Sequence, residues 1–184
     1  MQPSPENDAI IDIRALHTRY GKAVVHENVS LAVRPGEIFS LVGGSGCGKS
    51  TLLRAIIMLL QPVSGSIRVF GQEVIGLSDE NALPLRRRWG VMFERGALFS
   101  SLTVAENVLF ASRVHRQPIT EETLHDALAE VGLWDELKDR LKQQATSLPL
   151  EQQQKLCIAR LLPLKPQVLL MDEPCSALDP YATA

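Results

Sequence analysis

The chain has 184 residues and a mass of 20.3 kDa, enough to bury the core of one domain and too short for two ordinary ones. With 45% hydrophobic and 22% charged residues its composition is neither disordered nor fibrous, and 19 Lys+Arg against 21 Asp+Glu leave a net charge of −2, no strong field for nucleic acid or anionic lipid. The polar start Met1-Gln2-Pro3-Ser4-Pro5-Glu6 lacks the apolar stretch of a secretory signal, and the longest aliphatic and Met run, from Ala55 to Leu60, is far short of the roughly 20 residues that cross a bilayer. Membrane contact is therefore expected through a partner. Cys47, Cys157 and Cys175 lie far apart with no C-x-x-C pair, which fits a reducing compartment better than a disulfide framework or a zinc site.

In chain order, residues 10–16 and 29–33 alternate apolar and polar at period two, and 37–42 form a short apolar run after Pro35-Gly36; all three are predicted strands. The glycine-rich stretch Gly43-Gly44-Ser45-Gly46-Cys47-Gly48 follows, and then a predicted helix over 50–60 with Leu52, Leu53, Ile56, Ile57 and Leu60 at helical spacing. A strand is expected over 66–70, a turn near Gly71, a charged segment through Arg86-Arg87-Arg88, read as a solvated helix end, and a buried strand over 89–93. From residue 104 to about 162 the pattern is helical: 104–112, 119–131 with Thr120 as cap, 134–142 and 151–162. Residues 168–171 then run apolar into Asp172-Glu173-Pro174, as a parallel central strand with an acid at its carboxyl end does. This order predicts an α/β fold, a P-loop NTPase core of three layers carrying a helical subdomain. The core is expected to be residues 1–93 and 163–184 and the helical subdomain 94–162.

The chemistry sits in two places. Gly43 to Ser50 fits G-x-x-x-x-G-K-S/T, in which glycines let successive N–H groups face phosphate oxygens while the helix behind adds its positive end. Lys49 is expected to bridge the β- and γ-phosphates of ATP, and the Ser50 hydroxyl, followed by Thr51, to ligate Mg²⁺. A plain glycine turn before a core helix is the competing reading; the strand before and the Lys-Ser-Thr ending weigh against it. Cys47 reads as a small loop residue, since no base partner for a nucleophilic thiol is visible. Opposite the phosphates an acid is needed. Asp172 is expected to hold Mg²⁺ and Glu173 to polarise the attacking water.

Together these residues resemble the ATP-binding subunits of ABC transporters, over nearly the whole chain. Arg19-Tyr20-Gly21 resembles the A-loop, whose tyrosine implies adenine stacking by Tyr20. Phe93-Glu94 falls at the Q-loop, Ser176-Ala177-Leu178-Asp179 resembles the D-loop that touches the opposite subunit, and residues 152–160 are similar to the helix after the family's signature. The resemblance implies ATP and Mg²⁺ as cofactors. It also implies a second ATPase subunit, identical or different, membrane-spanning permease subunits, no nucleic acid, and a peripheral place on the cytoplasmic face of the inner membrane.

Three departures matter. The positions of the family's LSGGQ hold Leu148-Pro149-Leu150-Glu151-Gln152, and this altered signature should serve a partner's γ-phosphate poorly. Pro149 has neither hydroxyl nor N–H, Leu150 adds bulk, and Glu151 brings negative charge towards phosphate. Glu94 stands where the family has glutamine; it remains a candidate Mg²⁺ ligand. The family's pattern continues beyond the D-loop to another strand and a histidine that contacts γ-phosphate, and none of His17, His26, His115 or His125 follows Asp179. The fold is accordingly expected to be C-terminally incomplete, and the isolated chain unstable or prone to self-association.

Two cargo resemblances compete. Residues 88–110 resemble the ATPases of bacterial lipid-asymmetry and toluene-tolerance transporters, and 134–184 those of phosphate importers. Because the resemblance implies that the Q-loop region faces the membrane subunits, lipid-type cargo is favoured here. ATP hydrolysis powering transport is the expected function. The alternatives are a degenerate, non-hydrolysing nucleotide-binding module and a soluble ABC ATPase of DNA repair or translation.

Overall fold

A hairpin opens the fold. Tyr20 pairs with Ala23 across Gly21-Lys22, where Gly21 takes φ +58, and strand β1 (Ile11–Tyr20) runs antiparallel to β2 (Ala23–Val33). Both strands outrun the predicted 10–16 and 29–33, because the ladder continues through polar residues such as Arg19 and Glu27 that carry no apolar alternation. The computed structural model of the chain describes residues 8–93 and 98–176. These divide into two units, one ending at Arg86 and one beginning at Arg87.

In the first unit, Ile11 and Ile13 face inward, a left-handed Ala15 (φ +46) adds a residue to β1, and the inward face resumes at Leu16 and Thr18. The bulge fits because Gly65 of β3 (Ser64–Val69) has no side chain: a Cβ there would stand 2.7 Å from the Ala15 carbonyl oxygen. Phe70-Gly71, both at positive φ, turn β3 into the short β4 (Gln72–Glu73), giving a sheet of order β2-β1-β3-β4. Helix α1 (Lys49–Ile56) buries Leu52, Leu53, Ala55 and Ile56. It ends earlier than the predicted 60 because Met58 takes φ +63. The Met58 N–H then donates to Ala55 (3.2 Å) and the Leu59 N–H to Arg54 (2.8 Å), a Schellman closure without glycine. Helix α2 (Asp79–Arg86) ends at Arg86, in line with the expected helix end there; its extent back to Asp79 is not written in the sequence pattern, which the internal Pro84 interrupts.

Residues 37–42 depart from expectation. They form no strand in this unit, and Ile38 and Val42 are each 95% exposed. An apolar run becomes a buried parallel strand only between strands that pair with it, and the sheet of this unit is wholly antiparallel.

In the second unit, β5 (Trp89–Met92) and β6 (Val168–Met171) pair in parallel, Trp89 opposite Val168 through Met92 opposite Met171. Helices α3 (Val104–Val114), α4 (Glu121–Glu130), α5 (Trp134–Leu137) and α6 (Leu150–Ala159) close over a core that includes Val104, Val108, Leu128, Leu133, Leu137 and Leu156, all without measurable exposure. The expected Thr120 cap is present, its hydroxyl accepting from Thr123 N–H at 3.0 Å. Thr103 and Glu106 form a full capping box on α3. Helix α5 stops short of 142 because the chain turns so that Leu141 and Gln143 carbonyls accept from the Ala105 and Val104 N–H groups at 3.1 and 2.9 Å. Helix α6 ends before 162 because Pro163 cannot donate.

Asn107 has no measurable exposure and ties residues 99–103 to α3: its Oδ1 accepts from Phe99 N–H at 2.8 Å, and its Nδ2 donates to the Phe99, Leu102 and Thr103 carbonyls at 3.0 to 3.2 Å. Asn107→Ala leaves the Phe99 N–H without this acceptor and should lower the unfolding free energy by about 2–3 kcal/mol in denaturant titration. A loss within error of zero would contradict this account of the turn.

Candidate functional site

Helix α1 begins at Lys49, with Gly48 as its N-cap at φ +104, ψ 0. No side chain caps this end and no acid lies in its first turn. Helix geometry leaves the first N–H groups of any helix without intrahelical acceptors, so an uncapped, acid-free start is the arrangement that favours an anion. Gly46 is left-handed at φ +80, and the Cys47 N–H donates to the Gly44 carbonyl at 3.3 Å, curling the loop. At Gly43 the curl is close-packed: a Cβ there would lie 2.7 Å from the Cys47 Sγ. Lys49 folds its ammonium across this curl, donating to the Gly43 and Gly44 carbonyls at 2.8 and 3.2 Å, with Cys47 Sγ at 3.9 Å. Ser45, Ser50 and Thr51 complete the segment, Thr51 being buried.

Tyr20 ends β1 beside this helix. The residue is 47% exposed, and its hydroxyl accepts from the Arg54 guanidinium at 3.5 Å. Hydrogen bonds from Arg54 and then Thr51 hold its pKa below the usual phenol value, with the Arg54 charge adding to them and slight burial opposing. Beneath the loop, His26 of β2 is buried, 8% exposed, and its Nδ1 lies 2.7 Å from the Thr18 Oγ1 on β1. Sequence reading singled out Tyr20 and residues 43–51 but not Arg54, Thr18 or His26. Counted back from the Tyr20–Ala23 pair, a regular hairpin would set Val25 opposite Thr18; the register shift between Arg19 and Thr18 brings His26 there instead, so no spacing in the sequence marks the pair.

The second unit holds the acidic pair. The Asp172 N–H donates to the Met92 carbonyl at 2.9 Å, extending the β5–β6 ladder, and Asp172 is only 7% exposed. Glu173 follows at φ +49, a left-handed conformation for a residue with a side chain, and is exposed. Gln154 of α6 reaches this turn, its Nε2 donating to the Glu173 carbonyl and the Ser176 Oγ, both at 3.2 Å. Sequence reading placed Gln154 only on the helix after the signature, so its grip on the acidic turn was missed. Unlike the expected buried central strand, β6 leaves Leu169 and Met171 partly exposed, because β5 is its one ladder partner among the described residues.

At the altered signature, Leu148 is buried, Pro149 is the N-cap of α6 with no side-chain hydrogen bond, and Leu150 is 72% exposed. Glu151 pairs with Lys155 at 2.7 Å one turn on, and the Gln152 amide donates to the Glu136 carboxylate. Gln153 secures the loop from inside, its Nε2 donating to the Leu148 and Thr146 carbonyls at 2.7 and 3.1 Å. Glu94 and the D-loop positions Ala177, Leu178 and Asp179 lie outside the described residues. Among the described residues, no helix is long and apolar enough to cross a membrane.

A protein-family model described as ABC transporter matches residues 26–176, most of the chain. The chain is 41% identical over its whole length to phosphate import ATP-binding protein PstB 2 of Shouchella clausii and covers 70% of that protein. It is 37% identical over its whole length to PstB of Rubrobacter xylanophilus, covering 66% of it, and 39% identical over 98% of its length to PstB 2 of Aliivibrio fischeri, covering 68%. The chain thus spans about two thirds of the length of these relatives. Among solved structures, a dimeric ATP-binding cassette in a post-hydrolysis state bound to ADP and Pi matches at 29% identity and TM-score 0.77, over 93% of this chain and 77% of that one. Clostridium perfringens cbiO1, part of the ABC transporter complex cbiONQ, matches at 25% and TM-score 0.77, over 95% and 69%. The α/β P-loop fold expected from the motif order is the fold of these cassettes. The chain belongs to the ABC transporter ATP-binding family and is an ABC-type ATPase domain.

Proposed function

We propose that this domain binds and hydrolyses ATP to drive import of inorganic phosphate, as a peripheral subunit beneath membrane-spanning permeases on the cytoplasmic face of a bacterial inner membrane. One observation carries the ATP chemistry: the complete phosphate loop of residues 43–50 opens a helix whose start has neither cap nor acid. The cargo rests on the three relatives, each named for phosphate import. Lipid-type cargo, favoured by the text of residues 88–110, has no counterpart among them, and phosphate takes its place. Residues 1–93 and 163–184 would form the nucleotide core and 94–162 the subdomain facing the permeases.

In this reading the loop N–H groups and the Lys49 ammonium bind the nucleotide phosphates, and the Tyr20 ring stacks on adenine. The Ser50 hydroxyl and the Asp172 carboxylate are hard oxygen donors of the kind Mg²⁺ takes, with Glu94 a third candidate. The ion, when bound, draws negative charge from the phosphate oxygens. Glu173 orients the attacking water and accepts its proton, and Gln154 holds the turn that presents it. Ser176 to Asp179 would meet a second ATPase subunit.

The signature favours a second reading of the same site, in which the domain binds nucleotide but turns it over slowly without a different partner subunit. At Pro149 there is no N–H to offer a phosphate, and Leu150 stands 72% exposed where a close approach is needed. Glu151 adds charge of the wrong sign, only partly offset by Lys155.

Lys49→Ala should weaken ATP·Mg²⁺ binding by at least about tenfold in calorimetry. Glu173→Gln should leave binding intact and slow hydrolysis by about 10². Equal turnover in Glu173→Gln and the unsubstituted protein would remove Glu173 from the chemistry. Restoring the signature with Pro149→Ser, Leu150→Gly and Glu151→Gly should raise the steady-state ATPase rate; an unchanged rate in a folded triple variant sinks the slow-turnover reading. For cargo, expression in a bacterium deleted for its own phosphate-import ATPase should restore phosphate uptake. Restored outer-membrane lipid asymmetry in a lipid-transport mutant, with no phosphate phenotype, would reverse the assignment.

A further inference from the structure

The floor of the phosphate loop contains a residue that the reaction scheme above does not use. Gly48, the left-handed hinge between loop and helix, lies against β2 so closely that a Cβ on it would stand 2.6 Å from the His26 Nε2, 3.1 Å from its Cε1 and 2.8 Å from the Val25 Cγ1. The other edge of the imidazole is tied down: Nδ1 is 2.7 Å from Thr18 Oγ1, and Thr18 is 1% exposed and directly opposite His26 in the β1–β2 ladder. The ring is thus clamped between a cross-strand hydroxyl and the backbone of the loop. Burial lowers the pKa of His26 below its ordinary value, while a hydrogen bond with the Gly48 backbone pulls the other way. A neutral imidazole has one donor and one acceptor nitrogen. When the Thr18 hydroxyl donates to Nδ1, the proton stays on Nε2, the atom that faces Gly48.

We propose that His26, oriented by Thr18, is a positioning residue for nucleotide binding: it braces the Gly48 hinge so that the first turn of α1 and Lys49 meet the phosphates in a fixed geometry. The inference rests on the reading of residues 43–50 as the ATP phosphate site. It follows from the contact itself. Gly48 at φ +104 is in a region that few other residues adopt, and a glycine without support would sample alternatives that point its neighbours' N–H groups elsewhere. Holding the loop before ligand arrives removes an ordering cost from binding. Arg54 and Lys49 supply charge to this region, whereas a neutral His26 supplies shape and direction.

The test compares ATP·Mg²⁺ affinity by calorimetry and melting temperature in the full chain carrying His26→Leu, His26→Gln, Thr18→Val or Lys49→Ala. Leucine fills the space without a polar edge, glutamine can return an N–H towards Gly48, and Thr18→Val leaves the ring in place but removes its orienting hydroxyl. His26→Leu and Thr18→Val should bind ATP about tenfold more weakly. His26→Gln should recover most of that loss, and the melting temperatures of these folded variants should not track the affinities. If His26→Leu does not fold, Thr18→Val carries the same prediction. Unchanged affinity in Thr18→Val and in folded His26→Leu overturns the brace while Lys49→Ala still reports the phosphate site. Absence of ATP binding by the unsubstituted chain overturns both the site reading and this inference. Equal losses in His26→Leu and His26→Gln, in step with melting temperature, reduce His26 to a core residue and also overturn it.

Discussion

The start of α1 constrains everything around it. A helix cannot satisfy its own first N–H groups, and most sequences answer with Ser, Thr, Asp or Asn at the N-cap. This one places Gly48 there, keeps acids out of the first turn, and sets Lys49 as the first helical residue. The N–H groups left at the helix start and the Lys49 ammonium folded over the Gly43 and Gly44 carbonyls make an end of the kind that favours an anion. The cost is backbone strain at Gly46 and Gly48, which glycine bears and other residues would not. The sheet below must also leave room. Leu16 and Thr18 face inward only because β1 takes an extra residue at Ala15, and that residue fits only because β3 offers Gly65.

In the second unit, α6 does the equivalent work. Two adjacent glutamines on it face different tasks. Gln153 holds the Thr146 and Leu148 carbonyls ahead of the helix, and Gln154 holds the turn after Asp172. The altered signature and the acidic turn are therefore attached to one rigid element, whose Leu156, Cys157 and Ala159 are buried. The cysteines differ accordingly. Burial raises the Cys157 thiol pKa, with Arg160 opposing, and such a thiol is unreactive, whereas Cys47 is exposed in the loop. The substitutions in the signature leave the helix intact, since proline is compatible with a helix start and Glu151 in the first turn suits the helix dipole. What they change is the surface at the helix start, where Leu150 is exposed and Glu151 pairs with Lys155, not the fold.

Local signals carried much of the architecture and the site. The phosphate loop, the acid-tipped strand and the Thr120 cap were legible because each depends on residue types at short, fixed spacing. The extent of helix α2 was hidden by Pro84, the ends of α1 and α5 by a left-handed Met58 and by carbonyls committed to α3, and the strand expected over 37–42 requires neighbours that the first unit's sheet does not provide. The cargo is not written in local text, since two segments resemble different transporters, whereas the relatives similar along the length of this chain are named for phosphate import.

The order of motifs by itself determined the family and marked the candidate phosphate loop and acidic turn, because both are written in contiguous sequence. Tertiary structure alone decided which side chains support them. Thr18 and His26 meet through the register of a bulged hairpin, Arg54 reaches Tyr20 across 34 residues, and Gln154 reaches Glu173 across 19. Such contacts depend on strand register and helix packing, which no spacing in one segment encodes.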